Sequence, residues 1–386
     1  MRVLDLSQLL PGPYCSRILA DFGAEVIKLE RPEGGDWLRH VPPLVDGKGI
    51  LFRALSRGKK SLSLNLKSEQ GRVILLRLVK TADVLLESFR PGVMERLGLG
   101  YETLAQANPR LVYCALTGYG PTGPYRDRAG HDLNYIGLAG LLDPNRPREG
   151  APEIPGTQVA DLAGALWVTI GILQALLERE QTGKGQRVDG SFLGAALSCL
   201  PVALVRQRAA ELVKPGSQPK GPTGVDLSGG LVCYHVYETK DSGYVTLGAL
   251  EPKFWAAFCR AVGRDELLAQ QFAPATPGEP IYEDLCALFQ SRTRQQWAQD
   301  LAGVDACCEP VYNMQEALTS APVQALGMLT GEGLFPPVRL SAQAERPPAT
   351  VPDLGQHTAA LLGELGYDGA EVEGLRKQRV VQVQGT

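Results

Sequence analysis

A histidine beside a carboxylate, in the stretch AGHDLNY from Ala129 to Tyr135, is the first place in this chain where residue types and spacing could do chemistry. His131 is one of four histidines among 386 residues, and imidazole is the side chain most easily set to exchange a proton near neutral pH. Two more carboxylates gain meaning beside it: Asp161 in QVADLAG, opening a long apolar helical run, and Glu251 in LGALEPKFW, after a strand-like run. A histidine with two carboxylates suits removal of a proton from a carbon acid, which needs a positioned base and stabilisation of charge on the forming enolate oxygen. Inverting that carbon needs a second acid/base group on the opposite face. A plainer reading stands beside this one, because Asp132 and Asp161 both fall at expected helix starts, where an N-cap is worth about 1 kcal/mol and nothing catalytic.

The elements that must position these residues alternate between β-type and helical patterns. Arg2 to Leu6 reads as a strand, Pro11-Gly-Pro leads into a helix through Phe22, Gly23 closes it, and Glu25 to Glu30 makes a second strand. Ser68 can cap a helix through about Thr81, with Val73, Leu75, Leu76 and Val79 forming its apolar face. Strands are expected at 83–87, 110–116 and 186–189, a strong helix at 161–180, and a second long helix from Ser191 to about Leu212. Such alternation predicts an α/β fold with a parallel, Rossmann-like sheet covered by helices. KPGSQPKGPTG within 213–230 has the composition of a linker, and residues 231–325 then read as a smaller α/β unit, with a hairpin around KDSG and helices from Pro252 and Thr293. Residues 1–212 form the large unit, and 326–386 a C-terminal segment with a helix near 357–365.

Bulk properties narrow the function classes. With 44% hydrophobic and 21% charged residues the composition is that of an ordinary globular protein, and a net charge of −3 makes no electrostatic case for nucleic acid or an anionic membrane. Eight cysteines without CxxC pairs or zinc-like spacing read as reduced thiols of a cytoplasmic protein, with no metal site. MRVLDLSQLLPGPY does not read as a signal peptide, and the apolar run from Leu162 to Leu177 falls short of the roughly 18 residues of a membrane span. Nucleotide motifs fail as well. GKKS lacks the upstream glycine of a P-loop, and no GxGxxG follows the first strand. Basic residues nevertheless cluster at strand ends, namely Arg31, Arg57, Lys59, Lys60, Lys67 and Arg90, where they could hold phosphate groups or form a solvated charge run.

Seven segments in order, PGPYCSRILADFGAEVIKLERP, SRGKKSLSLNLK, ESFRPGVMERLGLG, AGHDLNY, VADLAG, TGKGQRVD and GALEPKFW, resemble the family III CoA-transferase superfamily, and within it the α-methylacyl-CoA racemases. The resemblance runs from near Val3 to roughly Val311, with a looser tail to about Val351. It implies that His131 and Asp161 are the two acid/base residues, that Glu251 partners the histidine, and that an acyl-CoA thioester is held by Arg31, Leu64, Asn65, Leu66, Lys67, Phe89, Arg90, Gly130, Asp132 and Tyr135. It also implies an interlocked homodimer, a tail that returns to the large domain, and no cofactor beyond the CoA of the substrate.

Two reactions remain open at this point. A racemase exchanges the α-proton of a 2-methylacyl-CoA through an enolate, whereas a transferase uses Asp161 as a nucleophile and passes through an aspartyl-CoA thioester. The resemblance favours the racemase because transferases of the formyl-CoA and carnitine type generally carry no histidine at the position of His131. A non-enzymatic acyl-CoA-binding scaffold is the third reading, opposed by the presence of all three polar residues.

Overall fold

The computed structural model describes residues 1–143, 150–212, 227–331, 333–342 and 350–384. Along the chain run β1 (Arg2–Asp5), α1 (Pro11–Asp21), β2 (Glu25–Glu30), β3 (Lys60–Ser63), α2 (Glu69–Val79), β4 (Val84–Glu87), β5 (Val112–Thr117), α3 (Asp132–Leu138), α4 (Val159–Thr182), β6 (Arg187–Ser191), α5 (Phe192–Ser198), α6 (Pro201–Leu212), β7 (Tyr234–Glu238), β8 (Tyr244–Gly248), α7 (Pro252–Ala261), β9 (Cys308–Pro310), α8 (Thr358–Glu364) and α9 (Gly369–Lys377), with further helices and two-residue strands between. The chain divides into two compact units, Met1–Leu200 with Met328–Thr386, and Pro201–Gly327.

The first unit is built on a six-stranded, all-parallel sheet in the order β3-β2-β1-β4-β5-β6. This is the expected Rossmann-like α/β architecture, with its order reversing between β1 and β4. Successive residues of a strand face opposite ways, so β5 sends Val112, Cys114 and Leu116 into one core and Tyr113 and Ala115 into the other. One core packs α1 and α4 on the sheet, and the other packs α2 with Leu361, Leu362, Val372 and Leu375 of the C-terminal segment. That segment also covers the β3 edge. The backbone N–H groups of Ser61 and Ser63 donate to His357 Nδ1 and Thr358 Oγ1, both at 3.1 Å, which satisfies donors that an open edge would leave exposed.

Local chemistry sets the element ends. Ser68 caps α2 through Gly71 N–H at 3.0 Å, as its residue type predicts. The single helix expected from Ser191 to Leu212 is instead two, because Pro201 lacks a donor and begins a new helix at its first turn. The helix expected at 161–180 extends to 24 residues, so α4 is long and apolar enough to cross a membrane by length and composition, contrary to the shorter run read from the sequence. One of its faces is buried through Gly164, Ala165, Val168, Ile172 and Ala175, and Gly164 lies so close to Phe192 that a Cβ would stand 2.8 Å from the ring.

The second unit carries the antiparallel sheet β9-β8-β7, and Thr239 N–H bonds Gly243 O across the predicted KDSG turn. Its core is aromatic, with Tyr237 stacked on Phe289 at 4.6 Å, Trp255 buried beside Phe258 and Trp297 buried beside Phe289. The expected linker at 213–230 lies, over 213–226, outside the described residues.

Three of the basic residues offered as phosphate partners belong to the fold instead. Lys59 is buried, with its Nζ 2.7 Å from Ser16 Oγ, 2.9 Å from Pro13 O and 3.1 Å from Asp5 Oδ2. Lys60 pairs with Glu25, and Arg57 bonds Leu334 O at 3.1 Å under the Phe335 ring. Lys59 and Asp5 belong to a buried network that continues through Lys28 to Asp36, and from Glu30 to Arg39 by two bonds of 2.7 Å. Burial alone would raise the Asp5 carboxyl, but Lys59 and Lys28, with hydrogen bonds from Ser16 and Ser7, outweigh it and hold Asp5 at about 2. Asp5→Ala should therefore destabilise the protein by about 3 to 5 kcal/mol in urea unfolding at pH 7, because buried Lys59 loses its paired counter-charge and buried Lys28 loses one of its neighbouring carboxylates. The carboxylate's contribution is present above its unfolded value of 3.8 and is lost as the pH falls through about 2. A loss below about 1 kcal/mol would show that the network carries no such weight.

Candidate active site

In a parallel sheet every loop that leaves a strand's C-terminal end emerges on the same edge, where open α/β sheets bind ligands. Arg31 follows β2, Leu64 to Lys67 follow β3, Phe89 and Arg90 follow β4, and the segment to His131 follows β5. Arg31, Lys67 and Arg90 are exposed there. Among the described residues, the Arg31 side chain bonds only Gly35 O, at 3.2 Å. Leu64 is 3% exposed and packs in the core, and its N–H donates to Glu30 O at 2.7 Å. Leu66 and Phe89 pack on the same core, and Asn65 Oδ1 accepts from Lys67 N–H at 3.0 Å.

His131 is the residue immediately before α3, in an extended conformation. Its backbone is held on both sides: its N–H donates to Asn134 Oδ1 at 3.0 Å, and its carbonyl accepts from Asn134 N at 2.8 Å. The preceding Gly130 is required by close packing. A Cβ there would lie 2.7 Å from both Tyr119 Oη and the Tyr135 ring. Tyr135 donates to Gly130 O at 2.7 Å and sits between Tyr119 and Phe192, with ring centroids 5.1 and 5.2 Å away. Tyr119 has a sequence signal in its place within the Gly-rich loop TGYGPTGP, Thr117 to Pro124, whereas Phe192 has none beyond aromatic character after TGKGQRVD.

The two aspartates are joined in a way the sequence did not reveal. Neither is the N-cap of its own helix, since those places belong to His131 and Gln158. Asp132, the first residue of α3, turns its carboxylate to the start of α4 and accepts from the backbone N–H of Asp161 at 3.1 Å. It thus satisfies an orphan donor of a neighbouring helix. That bond places His131-Asp132 against Asp161, a pairing of segments 29 residues apart. Burial first, and the Asp132 carboxylate second, push Asp161 up to about 6. A half-buried carboxyl with that value can both take and return a proton near neutral pH.

A cavity of about 330 Å³ opens on the same edge, lined by Glu87, Arg90, Thr117, Arg126, Arg187 and Asp189 among others. Burial raises Glu87 at its floor to about 7, with Phe89 N–H and the Tyr113 hydroxyl opposing this. Glu251 lies in the second unit as the residue before α7. His235, also in that unit, has Nδ1 2.6 Å from Gly229 O and packs edge-on against Tyr237 and Tyr282. Among the described residues no group of three or more His, Cys, Asp or Glu side chains could hold a metal ion.

Comparison with known proteins places this edge in a family. The model of the CoA-transferase family III matches residues 1–358. The chain belongs to that family. It is similar to α-methylacyl-CoA racemase of Mus musculus, with 37% identity over 99% of this chain and 97% of that protein. It is also similar to succinyl-CoA:glutarate CoA-transferase of the same species, at 32% over 99% and 89%. Among solved structures, a CaiB/BaiF family protein from Brucella suis matches with a TM-score of 0.79 and 30% identity over 95% of this chain and 98% of that one. The family III chain is thus an enzyme of either the racemase or the CoA-transferase kind.

The electrostatic account of Asp161 can be checked directly. In carbon-detected NMR its side-chain carboxyl should titrate near pH 6. Asp132→Asn keeps a side-chain oxygen for the Asp161 N–H but removes the negative charge, so the midpoint should move to lower pH. An unmoved midpoint would mean that Asp132 has no electrostatic hold on Asp161.

Proposed function

We propose that this protein is an α-methylacyl-CoA racemase or epimerase, in which His131 and Asp161 exchange the α-proton of a 2-methylacyl-CoA thioester. The observation that carries this reading is the Asp132 bond to the Asp161 N–H, which sets a histidine-bearing segment against a carboxyl raised to about 6. In the direction in which Asp161 is the base, its carboxylate takes the α-proton, the electrons pass to the thioester oxygen as an enolate, and protonated His131 returns a proton to the opposite face. The reverse direction exchanges the roles. The positive end of the 24-residue α4 lies at Asp161 and favours the developing negative charge. Arg31, Asn65, Lys67 and Arg90 hold the CoA anions, while Gly130, Asp132 and Tyr135 shape the thioester end. Proton transfer alone completes this reaction, so it calls for no metal or redox cofactor.

A transferase is the second reading, and the 32% identity to a succinyl-CoA:glutarate CoA-transferase favours keeping it. There Asp161 attacks the thioester carbonyl, CoA leaves, and a mixed anhydride and then an aspartyl-CoA thioester follow. Incubation with (R)-2-methylacyl-CoA in deuterium oxide separates the two. Deuterium at the α-carbon with loss of chirality, in the absence of an acceptor acid, is expected, and His131→Ala should lower it about 100-fold or more. Unlabelled substrate whose CoA moves to an added carboxylic acid would replace the racemase with the transferase.

The working form is a homodimer. Support comes from α4, where Leu166, Trp167, Ile170, Leu173 and Leu177 are 46 to 63% exposed on one face, a stripe that a soluble chain ordinarily covers. Ile170→Glu should convert a species of twice the chain mass to a monomer in light scattering. A wild-type monomer at micromolar concentration would remove the dimer from this account.

A further inference from the structure

A second cavity, of about 300 Å³, lies at the other end of the ligand edge, where the C-terminal segment crosses the loop after β2. Its lining includes Pro32, Glu33, Arg376, Arg379, Gln382 and Val383, none of which took part in the site described above. The segment is tied down beside it: Asn65 N–H donates to Val380 O at 2.8 Å and Gln382 N–H to Ser63 Oγ at 3.1 Å. The cavity therefore adjoins the strand ends that carry Arg31 and Lys67.

Arg379 is the unexpected residue. Helix α9 ends with Val380 N–H bonded to Leu375 O and Arg379 N–H bonded to Arg376 O, both at 2.9 Å. This is a Schellman closure, whose left-handed position is usually glycine. Here that position is Arg379 at φ +57°, a conformation that L side chains adopt at a cost. Such an outlier at a cavity points to a use for the side chain. Arg376 is already committed to Glu373 by two bonds of 2.6 and 2.7 Å. Arg379 is exposed and has no side-chain bond among the described residues, and its charge opposes that of Glu33 in the lining.

The position along the edge identifies the ligand group. From β2 to β5 there are three strand spacings, about 14 Å, so the loop after β2 is within reach of the far end of a CoA whose thioester lies at His131 and Asp161. The anionic group at that end is the ribose 3′-phosphate. We infer that Arg379 is a specificity residue for the 3′-phosphate of CoA, presented by the C-terminal segment to the cavity beside β2. This rests on the acyl-CoA reading of the family III site.

Calorimetric titration of the full chain with CoA and with 3′-dephospho-CoA tests it. The wild type should bind CoA about tenfold or more tightly than dephospho-CoA, as a charge-assisted bond to phosphate requires. Arg379→Gly should remove that preference by weakening CoA alone, while melting no lower than the wild type because glycine accepts the left-handed backbone. Arg379→Asn, which also tolerates that backbone, should behave likewise and shows that the lost guanidinium, not a loosened chain, is responsible. Unchanged CoA affinity in both variants, or an equal loss for the two ligands, overturns the role of Arg379 and leaves the acyl-CoA reading intact. A wild type that binds neither ligand overturns both.

Discussion

All-parallel pairing is the constraint on which the rest of this structure depends. Because no two neighbouring strands of the six-stranded sheet run in opposite directions, every strand must be followed by a return over a face, and every exit loop gathers on one edge. Two consequences follow together. Both faces are buried at the centre of the sheet, which is why β4 and β5 read as nearly continuous apolar runs. The polar residues at strand ends, from Arg31 to His131, are collected from distant parts of the sequence without any of them having to be near another in the chain.

Such an edge needs rigid loops, and buried charge supplies them. Asp5 ends β1, Glu30 ends β2, and Lys28 sits two residues earlier. Their pairing with Lys59, Arg39 and Asp36 fixes the first two loops from below. Pairs this deep contribute little net energy compared with an apolar core of the same volume, but breaking one leaves a charge stranded, so they tolerate few alternative arrangements. On the active side of the sheet the same device is smaller. Asp132 both satisfies a donor of α4 and raises the proton affinity of Asp161, so one carboxylate sets position and acidity together.

Much of this was legible beforehand, for identifiable reasons. The alternation of β-type and helical runs gave five of the six parallel strands, missing β3 because KSLS is short and polar, and Ser68, Pro11 and the KDSG turn marked their own boundaries because capping and turn chemistry are local. The error at Ser191 to Leu212 came from weighing apolar periodicity over Pro201, whose missing donor ends one helix and starts another. Arg57, Lys59 and Lys60 could not be separated from Arg31, Lys67 and Arg90 by sequence, since burial is decided by which way a loop turns and not by residue type.

The amino-acid sequence by itself determined the α/β class, the family, and the residue types available for proton transfer, because periodicity and motif order are properties of short segments. Only the tertiary structure decided which of those residues meet. The approach of Asp132 to Asp161, the packing of Gly130 under two tyrosines, and the return of the C-terminal segment over β3 join positions separated by anything from a few residues to most of the chain. Their geometry follows from how helices pack on a twisted sheet, which no local pattern encodes.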